Sequence, residues 1–244
     1  MIIALPPSEG KSEPATPMTV VAADLAFANL APARSVIAHA LTELGADDEA
    51  ATLLKVGPRA RADLAWNTDL TEGAPAREIY TGVLYEAARL REKDAGVWIF
   101  SGLYGVVRPD DVIAPYRLPA DARLPELGPV ATWWKPRLAD TLNRAAAHER
   151  ILIDCRSGPY QRMWTPPESI ERIAVTVERR DGDRRRVVSH RAKHYRGLLT
   201  RMLLDGGPVD DVGDVLRVAD DLPGVDAELT DTKDGARLTL VVDA

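Results

Sequence analysis

The stretch MIIALPPSEGKSEP, residues Met1–Pro14, determines the fold class expected for this chain of 244 residues. Its first five residues, Met1–Leu5, form an apolar run typical of a short buried strand, and the two prolines that follow end it. Ser8 and Lys11 then lie just past the carboxyl end of the strand, where open α/β sheets bind their ligands. We therefore expect a ligand site at this point, although an ordinary surface turn is the competing interpretation.

The tripeptide Gly10–Ser12 looks like the end of a phosphate-binding P-loop, but the rest of that motif is missing. A P-loop needs a glycine five residues before Gly10, where this chain has Leu5. Pro14 also disfavours the helix whose N-terminus would face the phosphate. The sequence therefore excludes a P-loop nucleotide site here.

Composition is that of a globular protein, with 45% hydrophobic and 28% charged residues, and the length allows one large domain or two small ones. Because the sequence has no internal repeat and no low-complexity linker, we expect a single domain over residues 1–244. No apolar run is long enough to span a membrane, and the first residues lack the pattern of a signal peptide, so we expect a cytoplasmic protein. One cysteine, Cys155, and four dispersed histidines predict no disulfide, no metal site and no cofactor.

Charge is distributed unevenly along the second half of the chain. Residues 172–201 carry ten Lys/Arg against three Asp/Glu, whereas residues 205–244 carry three against eleven. The two blocks could neutralise each other across one surface, or the basic block could frame a groove for phosphates. The net charge of −6 argues against indiscriminate binding of nucleic acid.

A helical insertion is predicted near residues 33–80, with helices expected over residues 33–44, 47–56 and 59–66. The stretch LLKVGPRARADLAW, residues 53–66, has the outline of a helix-hairpin-helix, in which backbone N–H groups grip a nucleic-acid phosphate. Its candidate residues are Lys55, Gly57, Arg59 and Arg61. The usual second hairpin glycine is replaced by Arg59, and two simply packed helices are the alternative.

Three loops each follow a predicted strand: PPSEGK at residues 6–11, SGLYGVVRP at 101–109 and RSGPY at 156–160. If these strands share one sheet, their loops converge on one crevice that suits an anionic or phosphate-containing partner. We predict that Lys11 and Arg108 lie in one pocket, and that Gly102 and Gly105 let the backbone approach a ligand. The expected fold is mixed α/β, with a central sheet flanked by helices.

The rest of the chain predicts a hairpin, a helix and a second hairpin. Strands are expected over residues 170–179 and 186–189, on either side of Asp181-Gly182. A helix is expected over residues 193–204, and the final hairpin turns at Asp234-Gly235.

These segments resemble the YaaA family of peroxide stress proteins. The matching stretches are PPSEGK, YTG (Tyr80–Gly82), SGLYGVVRP, PYRL (Pro115–Leu118), Ser157 with Tyr160, and AKHYRGLLTR (Ala192–Arg201). The resemblance implies a bacterial protein that limits iron-dependent damage during peroxide stress and binds DNA through a helix-hairpin-helix and a cationic cleft. The candidate ligand- or DNA-binding residues are Ser8, Lys11, Tyr80, Ser101, Gly102, Tyr104, Gly105, Arg108, Tyr116, Arg117, Ser157, Tyr160, Lys193 and Arg196.

An enzyme acting on a small phosphorylated or nucleobase-like molecule is the alternative function. No complete catalytic triad can be identified from spacing, so the question of enzymatic activity stays open. A long groove flanked by the hairpin and residues 184–196 would favour a polymer such as DNA. An enclosed pocket lined by Lys11, Tyr104 and Arg108 would favour a small ligand.

Overall fold

The computed structural model describes residues 1–182, 184–187 and 190–243. It shows a mixed α/β fold, as predicted. The strands are, in chain order, β1 (Ile2–Leu5), β2 (Met18–Thr19), β3 (Glu72–Pro75), β4 (Val97–Ser101), β5 (Gly105–Val107), β6 (Val112–Ile113), β7 (Arg123–Leu124), β8 (Gly128–Pro129), β9 (Ile151–Asp154), β10 (Glu171–Asp181), β11 (Arg184–Val187), β12 (Val225–Thr232) and β13 (Gly235–Val242).

The helices alternate with these strands along the chain, and several of them are short. The α-helices are α1 (Ala31–Leu44), α2 (Asp48–Leu53), α3 (Ala76–Ile79), α4 (Val83–Ala88), α5 (Val130–Ala145), α6 (Gly158–Gln161), α7 (His190–Asp205) and α8 (Val212–Asp220). Ala28–Leu30 and Pro58–Thr68 form 3₁₀-helices. No helix in the described part of the chain is long and apolar enough to cross a membrane.

The central sheet contains five parallel strands in the order β13–β10–β9–β1–β4. Antiparallel β12 and β5 lie at its two edges, and β11 pairs with β10. Every residue of β1, β4 and β9 is buried, which explains their continuous apolar sequences. Since these three strands are adjacent and parallel, their carboxyl ends meet at one edge.

The segment SGLYGVVRP forms a tight hairpin instead of an open loop. Ser101 pairs with Gly105 and Ile99 with Val107, so β5 runs back beside β4. Arg108 follows β5 and therefore lies toward the amino ends of the parallel strands. This reversal separates it from the edge where the other predicted loops meet.

The helical segment after β2 differs from its prediction in one helix. The α1 and α2 helices form near the expected positions, and the Asp47 side chain caps α2 by accepting a 2.9 Å hydrogen bond from the Ala50 N–H. The element expected over residues 59–66 is a 3₁₀-helix, Pro58–Thr68, and not an α-helix. Leu41, Leu54 and Leu64 pack into the same hydrophobic core as the central sheet.

Strand β10 changes partner along its length, which opens the sheet. Glu171–Ala174 pair with β9, whereas Glu178–Asp181 pair with β11 on the same side. The last two residues of the predicted second strand, Val188 and Ser189, lie outside the described residues. The terminal hairpin is confirmed, with Gly235 at φ 114° opposite Thr232.

Candidate functional site

A cleft of about 1090 Å³ opens at the carboxyl ends of β1 and β9. Its walls come from sequence-distant segments: the loop after β1, the turn around Lys55–Gly57, the loop that leads into α6, and the first turns of α7. Residues Ala174–Thr176, at the gap between β9 and β11, also line it. The predicted convergence of the loops after β1 and β9 is therefore observed.

Most of the charged residues that line the cleft are basic, although the whole chain is acidic. Among the described residues that line it, nine are Lys or Arg and three are Asp or Glu. The cations are Lys11, Lys55, Arg117, Arg156, Arg172, Lys193, Arg196, Lys233 and Arg237. A concave surface lined by one sign of charge focuses its field and attracts ligands of the opposite charge.

Lys11 is held in the cleft by contacts between two of the short motifs seen in the sequence, PPSEGK and YTG. It forms an isolated antiparallel bridge with Tyr80, flanked by a 3.1 Å hydrogen bond from the Thr81 N–H to the Gly10 carbonyl. The Ser8 hydroxyl donates to the Thr81 carbonyl. Lys11 Nζ donates to the Ser8 carbonyl at 2.7 Å and lies 4.4 Å from the ring centre of Tyr116.

This environment disfavours the charged form of Lys11. Burial, followed by the nearby positive charge of Arg117, lowers the pKa of the Lys11 amine to about 7, and Glu9 and Asp63 only partly oppose the shift. In the described part of the chain, no carboxylate lies within salt-bridge distance of Lys11 Nζ. The neutral form of this amine is therefore far more populated at pH 7 than that of an ordinary lysine, of which roughly one in 2500 is neutral.

A chain of buried hydroxyl groups lies beneath Lys11. The Tyr116 hydroxyl is 3.0 Å from that of Tyr80 and 2.7 Å from Ser101 Oγ. Ser101 Oγ in turn accepts a 2.9 Å hydrogen bond from the Tyr104 N–H. Burial raises the pKa of Tyr80 and Tyr116 well above the ordinary tyrosine value, so both phenols stay protonated and neutral.

Arg156 and Arg172 are cleft residues that the sequence analysis did not identify. Both bind Asp154, which is fully buried at the end of β9: Arg156 through Nε at 2.8 Å and Arg172 through Nε at 2.8 Å. Burial would raise the pKa of Asp154, but the two guanidinium groups hold it below the usual value. The Arg156 guanidinium also lies 4.3 Å from the ring centre of Phe100. The basic residue after the strand was the available signal for Arg156.

The predicted residues Arg117, Ser157, Tyr160, Lys193 and Arg196 all line the cleft. Arg117 is oriented by Asp63, whose carboxylate accepts from Nε at 3.0 Å and Nη2 at 2.6 Å. Arg196 donates a 2.7 Å hydrogen bond to the Val175 carbonyl in the sheet gap. Lys193 is exposed at the cleft rim.

The residues of the proposed hairpin are only partly in the cleft. Lys55 and Gly57 line it, and Lys55 pairs with Asp121 at 2.8 Å. Arg59 is exposed, and Arg61 forms an ion pair with Asp48. Gly57 has an extended backbone with open space beside it, so this position does not need glycine for its conformation.

Arg108 does not share a pocket with Lys11, contrary to prediction. It is exposed and its guanidinium lies 5.6 Å from the ring centre of Phe27, because β5 carries it away from the cleft. Gly102 and Gly105 allow other parts of the protein to pack closely against them. A Cβ on Gly102 would lie 2.1 Å from the Leu118 carbonyl oxygen, and a Cβ on Gly105 would lie 2.8 Å from the Trp134 ring. These glycines admit protein atoms, and not a ligand.

Tyr80, Ser101 and Tyr104 are buried behind the cleft wall. The Tyr104 hydroxyl accepts a 3.0 Å hydrogen bond from the Ala114 N–H, which ties this side chain to the protein. Of the candidate binding residues Tyr80, Tyr104 and Tyr116, Tyr116 lines the cleft and carries Lys11 over its face. Tyr80 and Ser101 both hydrogen-bond to Tyr116, and Tyr80 also contacts Lys11 directly through the bridge between their backbones.

Comparison with known proteins places this arrangement in a family. The family model described as "Peroxide stress protein YaaA" matches residues 1–220. The chain belongs to the YaaA family. A UPF0246 protein of Streptomyces coelicolor is 37% identical over 219 residues, covering 85% of this chain and 84% of the relative.

Two further relatives match this YaaA-family protein over most or nearly all of its length. A UPF0246 protein of Corynebacterium efficiens is 34% identical over 260 residues, covering 99% of this chain and all of the relative. One of Corynebacterium glutamicum is 34% identical over 228 residues, covering 90% and 91%. The resemblance first seen in the short motifs is thus confirmed along the chain.

Proposed function

We propose that this YaaA-family protein binds DNA in the cationic cleft, without sequence preference, and so helps to limit iron-dependent oxidative damage to it. The observation that carries the proposal is the accumulation of nine Lys/Arg side chains in one cleft of an acidic chain. Contacts of this kind engage phosphates and carry no base information. The link to iron rests on the family resemblance alone.

The shape of the cleft supports a polymer over a compact ligand. The cleft runs from the turn at Lys55–Gly57 to α7 and Val187, which is the outline expected for a groove flanked by the hairpin and residues 184–196. A second hollow of about 1360 Å³ adjoins it and shares Arg156, Arg172 and Lys233 with it. The two hollows adjoin where Arg156 and Arg172 bind the buried Asp154.

The basic block, residues 172–201, is partly paired with the acidic block, residues 205–244, and partly directed toward the cleft. Arg180 pairs with Asp226 at 2.6 Å and Arg185 with Glu228 at 2.6 Å, so part of the basic block is neutralised on the outer surface. Lys193 and Arg196, from the same block, line the cleft instead. These two cations of the basic block therefore add to the cleft, where Lys55, Arg117, Arg156 and Arg172 are themselves paired with carboxylates.

Fluorescence anisotropy with a labelled duplex, measured from about 50 to about 200 mM salt, tests the proposal. Affinity should fall steeply with salt, and Lys193→Glu should weaken binding and flatten the salt slope by roughly one to two. Lys93→Glu, an exposed charge reversal outside the cleft, is the control and should bind like the wild type. Absence of binding at low salt, or equal losses in both variants, would exclude the cleft as a DNA site.

A second candidate function is an enzyme acting on a small phosphorylated or nucleobase-like ligand. The specific observation in its favour is the Lys11 amine, whose pKa is lowered to about 7 and which lies beside Tyr116 and Arg117. Thermal-shift measurements with nucleotides and sugar phosphates test it. Stabilisation by such a compound that disappears in Lys11→Met would favour the enzyme, and no shift with any of them would count against it.

A further inference from the structure

We propose that Lys11 forms a covalent imine with the aldehyde carbon of a phosphate-bearing sugar held in the cleft. Two sources supply this chemistry: an abasic site in DNA, whose ring-opened sugar is an aldehyde between two phosphates, and a free sugar phosphate. The DNA source rests on the proposed function, whereas the free sugar phosphate does not.

The position of Lys11 separates it from the other lysines of the cleft. Lys55 is paired with Asp121 at 2.8 Å, and Lys193 is exposed to solvent. Lys11 instead lies over the Tyr116 face, and its recorded hydrogen bond is to an uncharged group, the Ser8 carbonyl. In the described part of the chain, no carboxylate lies within salt-bridge distance of this nitrogen, and Glu9 and Asp63 act on it only from farther away.

The charge state of Lys11 suits attack on a carbonyl. Lys11 is partly buried in the cleft wall, and a lysine desolvated near another cation loses its proton readily and becomes a nucleophile at neutral pH. The phenols of Tyr80 and Tyr116 stay protonated, so neither supplies a phenolate that would re-form an ion pair with Lys11. The neutral amine is therefore available in the folded protein.

The reaction balances without an oxidant, a reductant or a metal ion. The Nζ lone pair attacks the aldehyde carbon and a C–N bond forms, while the carbonyl oxygen becomes a hydroxyl group. The two protons that Nζ loses leave with that oxygen as water, and a C=N bond remains. Arg172, Arg237 and Lys193 line the same cleft and supply the cations that hold the phosphates.

Reductive trapping tests the inference in the full chain. The protein is incubated with sodium cyanoborohydride and either duplex DNA containing an abasic site or deoxyribose 5-phosphate, and the adduct is located by peptide mass spectrometry. We expect a stable adduct on Lys11, with Lys55, Lys193, Lys233 and the N-terminal amine unmodified. The adduct should be lost in Lys11→Met and in Lys11→Arg and retained in Lys93→Met, an exposed lysine outside the cleft.

The mapping is performed on the wild type, so it does not depend on whether a variant folds. An adduct spread evenly over the surface lysines, or no adduct from either aldehyde, would overturn the inference. The yield should rise through about pH 7, the pKa of Lys11, and a rise only near the pKa of ordinary lysines would also overturn it.

A duplex with a tetrahydrofuran analogue, which lacks the aldehyde, separates this inference from the proposed function. Binding of that duplex without any Lys11 adduct sinks the imine and leaves DNA binding intact. A Lys11 adduct with deoxyribose 5-phosphate, without binding of the duplex, supports the imine, identifies the small sugar phosphate as its source and refutes DNA binding. A Lys11 adduct with abasic DNA supports both.

Discussion

At the scale of single residues, burial changes the pKa of two potential nucleophiles, Lys11 and Cys155, in opposite directions. Lys11 loses much of its affinity for a proton, because its ammonium group is buried close to Arg117. Cys155 responds in the opposite direction, since burial raises the pKa of its thiol to about 12. One residue becomes a better nucleophile at neutral pH and the other a worse one.

Lys11→Met should stabilise the fold relative to the wild type at about pH 6, and the gain should shrink toward about pH 10. The folded-state pKa is lowered to about 7, so between pH 7 and the ordinary lysine value the unfolded chain binds more protons. The free energy of unfolding of the wild type therefore rises with pH across that window. Below about pH 7 Lys11 is charged in the folded protein too, so the wild type bears the full cost of burying its ammonium group. In urea unfolding, the difference in free energy of unfolding between Lys11→Met and the wild type should decrease by roughly 2–4 kcal/mol from about pH 6 to about pH 10.

Lys93→Met is the control for that experiment, because its side chain is exposed. Its difference from the wild type should not vary with pH. An advantage of Lys11→Met that stays constant from pH 6 to about pH 10 would show that Lys11 keeps an ordinary pKa.

Hydrogen peroxide should leave Cys155 unmodified in the folded protein, although the family is one of peroxide stress proteins. The thiol is fully buried and its raised pKa removes the thiolate that peroxide attacks. Intact-mass and peptide analysis after peroxide treatment measures this, with the urea-unfolded chain as a positive control. Sulfenic or sulfinic acid at Cys155 in the native sample would contradict it.

At the scale of elements, the packing of α7 on α4 places part of the cationic wall. A Cβ on Gly197 would lie 2.2 Å from the Leu84 carbonyl oxygen and 2.7 Å from the Ala87 Cβ. Only a residue without a side chain permits this approach. Because Lys193 and Arg196 precede Gly197 on the same helix, the close contact also sets their position at the cleft.

Gly197→Ala should destabilise the protein by about 1–3 kcal/mol, since the added methyl group must push α7 away from α4. Chemical denaturation measures the loss, and the variant should bind DNA more weakly if α7 forms part of the binding surface. Gly207→Ala is the matched control, because no atom lies within 4 Å of the added Cβ. Equal stabilities of the two variants would contradict the close helix contact.

The end of β9 provides a second prediction at this scale. Asp154→Asn removes the negative charge that Arg156 and Arg172 share, and leaves the buried Arg156 guanidinium without its counter-ion. Breaking a buried ion pair in this way should cost about 3–5 kcal/mol in denaturation experiments. Glu228→Gln, which breaks the exposed pair with Arg185, should change little. A similar small effect at Asp154 would show that the buried pair is dispensable.

At the scale of the whole molecule, a bound polymer should contact segments that are far apart in the sequence. Amide hydrogen exchange with and without duplex DNA should show slower exchange over residues 6–11, 55–60 and 157–161 together, because all three line one cleft. Residues 108–111 should be unaffected, because β5 carries them away from it. Protection confined to residues 108–111 would refute this placement of the site.

The hairpin at residues 101–109 shows why part of the site could not be predicted. The apolar run before it correctly indicated a strand, but its glycines, expected to let a ligand approach the backbone, make room for Leu118 and Trp134 instead. The direction of the chain after Gly105 depends on pairing between β4 and β5, which no local pattern specified. Arg108 was misplaced for that reason.

The sequence alone determined the α/β class, the buried strands and the family. Apolar runs, turn residues and short motifs are local signals, and they predicted that the loops after β1 and β9 would meet. Only the tertiary structure showed which cations share the cleft, since Arg156, Arg172, Lys233 and Arg237 come from separate segments. It also decided the proton affinity of Lys11, because burial and neighbouring charges arise from long-range contacts.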